Sequence, residues 1–96
     1  MYTLIEKTSK DEVYKLPYRY NSSIVVKMHY HTTRLYWHVV VYFVYPPHFR
    51  TDIVENAPYV KSRKEARQIA KNFMQIPPDS FWNKLSEFHK NIITNS

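Results

Sequence analysis

Two stretches of this chain alternate so regularly that they leave one pairing open. In residues 24–31 the even positions Ile24, Val26, Met28 and Tyr30 share one face of an extended strand. In residues 36–43 the odd positions Trp37, Val39, Val41 and Phe43 do the same. A loop of Thr32, Thr33, Arg34 and Leu35 that sets His31 opposite Tyr36 brings both sets to one side of a hairpin. A slip of one residue would turn one whole set to the other side, so burial of that side specifies the register. The opposite face then carries Val25, Lys27, His29 and His31 against Tyr36, His38, Val40 and Tyr42. In this register His29 and His38 are direct cross-strand neighbours.

The flanking segments extend this pattern. Residues 13–20 alternate through Tyr14, Leu16, Tyr18 and Tyr20 and reach Ile24 by a turn at Asn21, Ser22 and Ser23. Pro17 cannot donate to a ladder, which predicts an edge position for that strand. Residues 2–7 add a further strand that turns at Ser9, Lys10 and Asp11, with Asp11-Glu12 read as part of the turn. Pro46-Pro47 stops the hairpin, and residues 49–61 read as an irregular connection with a short strand near Ile53. Ser62 and Glu65 form a capping box for a helix whose apolar stripe is Ala66, Ile69, Ala70 and Phe73. Pro77-Pro78 ends it. A second helix starts at Asp79 or Ser80, with Phe81, Leu85, Phe88 and Ile92 on one stripe and Trp82 and His89 beside it.

Strands first and helices after define an α+β fold. The expected architecture is an antiparallel sheet of three to four strands followed by two C-terminal helices packed on one sheet face. At 96 residues the chain reads as a single domain, with sheet in 1–45, connection in 46–61 and helices in 62–93.

Composition removes many functions. Without cysteine there are no disulfides, thiol nucleophiles or Cys-based metal sites. Without glycine there is no phosphate-cradling P-loop, dinucleotide fingerprint, EF-hand loop or nucleophile elbow. No cofactor is expected, and no enzyme signature stands out, so the chain reads as a non-enzyme. No run approaches the ~18 uncharged apolar residues of a membrane span. Charges near the start, Glu6, Lys7 and Lys10, replace the apolar stretch of a signal peptide, so a cytoplasmic protein without a membrane partner is expected. Scarce Gly and Ala beside abundant Lys, Asn, Ile and Tyr fit an AT-rich coding sequence, as in a virus or mobile element.

The net charge of +6 points to an anionic partner, DNA or RNA above all. The first candidate surface is the start of the first helix, where Lys61, Arg63 and Lys64 crowd the N-terminus and Arg67 and Lys71 continue the stripe. Cations there oppose the helix dipole, whereas a phosphate facing that end would be favoured. The run SRKEARQIAKNF, residues 62–73, resembles the start of the last helix of double-stranded-RNA-binding domains. Arg63, Lys64, Ala66 and Arg67 match that signature by charge and size. The resemblance implies phosphate contacts for these basic residues. It is one of charge placement over about a dozen residues, since the family's preceding glycines and N-terminal helix are missing.

The second candidate surface is the polar face of the hairpin. There Tyr36, His29, His31 and His38 could stack on bases while Lys27 and Arg34 meet phosphates. The three histidines could also ligate a divalent metal, but no carboxylate is expected on that face unless Asp52 or Glu55 reaches it from the connection. No metal site is therefore assigned. The leading expectation is a small basic non-catalytic nucleic-acid-binding accessory protein. The alternative is a protein-binding inhibitor or adaptor that acts on a host protein through the Tyr/Arg/His-rich surface, and a metal-dependent nuclease ranks third.

Overall fold

The computed structural model describes residues 1–54 and 57–95. Among them, the order is β1 (Thr3–Lys7), β2 (Asp11–Pro17), β3 (Ser23–His31), β4 (Tyr36–Tyr45), β5 (Phe49–Asp52), β6 (Tyr59–Val60), α1 (Arg63–Met74), α2 (Pro78–Lys84) and α3 (Glu87–Thr94). The fold is α+β, an antiparallel meander β1-β2-β3-β4-β5 with the helices after it. The central hairpin has the register that alternation requires, His31 opposite Tyr36 and His29 opposite His38. Ile24, Val26, Met28, Trp37, Val39, Val41 and Phe43 form the buried core with Ala66, Ala70, Phe81 and Ile93 from the helices and Leu85 just after α2.

The sheet is wider than three to four strands. The connection after Pro46-Pro47 returns along β4 as two short strands, β5 opposite Tyr42–Tyr45 and β6 opposite Trp37 and His38. The chain departs from β4 between them, which hides the period-2 signal that a continuous strand would show. β2 is also not an edge strand, because β1 pairs with it from Glu12 to Lys15. Pro17 is accommodated because it is the last residue of β2 and lies beyond the part that β1 covers.

Turns without glycine have a cost. The left-handed positions fall to Tyr20 (φ 59°), Asn21 (φ 61°) and Leu35 (φ 58°). For Tyr and Leu that conformation costs about 1–2 kcal/mol each. Packing of the Tyr20 ring on Trp82, with centroids 5.8 Å apart, offsets part of it in the β2–β3 turn.

Ser62 caps α1 as the pattern requires, while Glu65 turns back onto the Ser62 hydroxyl and not onto its backbone N–H as a full capping box would. Ser62 Oγ accepts from the Glu65 N–H at 3.1 Å and donates to Glu65 Oε1 at 2.9 Å. The expected second helix is instead two short helices. Ser86, extended at ψ 157°, interrupts it and caps α3 by accepting from the His89 N–H. That break shifts the helical phase, so Phe88 is 69% exposed and Ile93 is buried in the core.

Candidate nucleic-acid interface

The basic helix is built against a carboxylate that sequence reading places in a turn. Glu12 lies within β2, opposite Met28, and is 1% exposed on the helix-facing side of the sheet. Arg67 donates to it from Nη2 at 2.9 Å and from Nε at 3.3 Å. The Arg63 Nε lies 3.8 Å from Glu12 Oε2, and the Lys7 Nζ lies 3.8 Å from Oε1. Hydrogen bonding to Glu12 raises the Arg67 pKa further, followed by the carboxylate's charge. Arg63 also donates to the Thr8 carbonyl at 2.8 Å and lies over the Trp37 ring at 5.0 Å. Arg63 and Arg67 therefore fasten α1 to β2 and to the β1–β2 turn, and are not free phosphate ligands.

Lys61, Lys64 and Lys71 remain exposed around this anchor. The β1–β2 turn adds Lys10, next to Ser9, whose carbonyl lies 3.5 Å from Arg63 Nη1. Sequence reasoning selects neither Lys7 nor Lys10. Their proximity to α1 arises from the Arg63 and Glu12 contacts, which span more than 50 residues.

The second candidate set lies on the opposite side of the sheet, which the helices leave uncovered. Alternation turns Lys27, His29, His31, Tyr36 and His38 outward, and β6 brings Tyr59 beside His38. The rings form a continuous cluster, with centroid distances of 4.8 Å for His31–Tyr36, 4.5 Å for Tyr36–Tyr59 and 4.7 Å for His38–Tyr59. Arg34 is exposed in the β3–β4 loop at the rim of this cluster.

A carboxylate does reach this face. Asp11 pairs in register with His29, and its Oδ1 lies 2.7 Å from His29 Nδ1 and 3.9 Å from Lys27 Nζ. Asp52 is taken up by Arg50, whose Nε donates to it at 2.7 Å. Glu55 lies outside the described residues. Among the described residues, no group of three His, Asp or Glu side chains is placed to hold a metal ion. Tyr42 faces outward yet is buried, because Val13 and Val25 pack around it and the Arg50 guanidinium covers its ring at 3.8 Å. A shallow cavity of about 190 Å³ opens beside it, lined by Lys27, His29, His38, Val40 and Arg50.

Burial lowers the pKa of His38 below the usual histidine value, and the nearby His31 and His29 lower it further. The unfolded chain thus binds a proton at this position more readily than the folded one. Folding stability from His38 is present above pH ~6.5 and lost as pH falls below it. The loss of stability between pH 7.5 and 5.0, measured by urea unfolding, should be smaller in His38→Gln than in the parent. Equal losses in the two proteins would remove His38 as a contributor.

No family model matches the chain, and no curated protein or solved structure does. No helix among the described residues is long and apolar enough to cross a membrane.

Proposed function

We propose that this protein is a small basic, non-catalytic nucleic-acid-binding accessory protein that meets phosphates with the surface formed by α1 and the β1–β2 turn. The observation that carries this reading is the segregation of charge. Lys7, Lys10, Lys61, Arg63, Lys64, Arg67 and Lys71 are half of the chain's 14 Lys and Arg. Lys7, Arg63 and Arg67 surround Glu12, Lys10 follows the Ser9 that Arg63 reaches, and Lys61, Lys64 and Lys71 lie just before or within α1. A surface with such an excess of cations gathers phosphates and releases their counterions.

Lys64 and Lys71 test it best, because both are exposed and neither forms an ion pair among the described residues. Lys64→Ala with Lys71→Ala should weaken duplex binding and flatten the log–log salt slope by roughly 1.8, at about 0.9 for each phosphate no longer neutralised. The thermal melt should not move. An unchanged affinity and slope would end this reading.

A protein-binding inhibitor or adaptor is the second reading, favoured by β1. Its outer edge pairs with no strand among the described residues, and Leu4 and Ile5 are exposed on it. Pull-down from lysate with and without nuclease separates the two readings, since only a protein partner survives digestion.

A further inference from the structure

We propose that the uncovered sheet face is a second site, separate from the α1 surface, which holds one phosphodiester of a single strand between Lys27 and Arg50 and stacks the adjoining bases on Tyr36 and Tyr59. Two permanent cations and two imidazoles converge on one small concavity there. Both cations are held in place before any ligand arrives. Lys27 is steadied by Asp11, and Arg50 lies on the Tyr42 ring with Nε bonded to Asp52. Asp52 engages Nε of Arg50, and among the described residues no hydrogen bond or ion pair uses its terminal nitrogens, which suit a phosphate oxygen.

The rings continue directly from the cavity, because His38 both lines it and packs on Tyr59 at 4.7 Å. Tyr59 is 60% exposed, so much of it is accessible to a base. Every base has a π-face, so such a platform accepts unpaired bases regardless of sequence. A duplex keeps its bases stacked inside and cannot offer them.

The charge on this face is nearly balanced, since Asp11 and Asp52 accompany Lys27 and Arg50. That suits one phosphate with neighbouring bases better than a long polyanion track. One phosphate neutralised on a single strand gives a shallow salt slope of about −0.7. RNA and DNA strands share this phosphodiester-and-base chemistry.

Fluorescence anisotropy with labelled penta-uridylate and penta-deoxythymidylate on the full chain tests the site, and tighter binding of one of them identifies the natural strand. Tyr59→Ala should weaken pentamer binding by about tenfold or more, the loss expected of one stacked base. Tyr59→Phe should keep the affinity, and Lys27→Ala should reduce it several-fold. The Lys64/Lys71 variant should bind pentamers like the parent, while the Tyr59 and Lys27 variants should bind duplex like the parent. Pentamer affinity unmoved by Tyr59→Ala and Lys27→Ala, or abolished only in the Lys64/Lys71 variant, would overturn this site and leave the α1 reading intact. Duplex binding unmoved by Lys64/Lys71 replacement would end the α1 reading without touching this one.

Discussion

Replacing Arg63 and Arg67 together with Ala is expected to destabilise the fold by about 3–5 kcal/mol, because it leaves the buried Glu12 carboxylate without its two guanidinium partners. Lys7 remains, but its Nζ is 3.8 Å away and its side chain is 58% exposed, so it compensates poorly. For a domain of this size the loss corresponds to a fall in Tm of roughly 15–30 °C. Adding Glu12→Leu to the double variant should recover much of it, since the uncompensated charge is then gone. Glu12→Ala alone should cost less than the double arginine change. The side chains of Arg63 and Arg67 are 29% and 36% exposed, so each can turn to water once the carboxylate is removed. Thermal melts of the set give the coupling directly. If the double arginine variant melts like the parent, Glu12 is not held as described.

The consequence for binding work is practical. A fall in nucleic-acid affinity in an Arg63/Arg67 variant would report unfolding as readily as the removal of phosphate ligands. Sequence reasoning counts these two residues among the phosphate ligands of the exposed helix start. The ion pair with Glu12 reverses that expectation and moves the test to Lys64 and Lys71.

The second large effect concerns the two faces of the sheet. Val41 is fully buried at the centre of the helix-facing side, so Val41→Asp places a carboxylate there without a partner and should leave no folded population at 37 °C. Trp37→Ala should cost about 3–5 kcal/mol through the cavity it opens, including the ring over which Arg63 lies. Lys27→Ala, on the open face, should stay within ~0.5 kcal/mol of the parent. Urea unfolding of the three variants is the measurement, and similar midpoints for all three would overturn this assignment of the faces.

The alternation in residues 24–31 and 36–43 was sufficient, without any tertiary information, to define the hairpin's register, its buried face and the outward placement of His29, His31 and His38. Ser62 and Glu65 likewise marked the start of α1. These features are legible because periods of 2 and 3.6 are properties of neighbouring residues, and burial of one face admits one solution. Tertiary structure decided the rest. Glu12 and Arg67 are 55 positions apart, and only the way α1 crosses the sheet makes them partners. Asp11 reaches His29 because β2 lies beside β3 in a register that the local pattern of β2 does not reveal. Tyr59 joins the histidines because the edge strand resumes as β6 after its interruption. An ion pair or a ring cluster leaves no periodic trace in sequence, since its energy depends on distance in space and not on spacing along the chain.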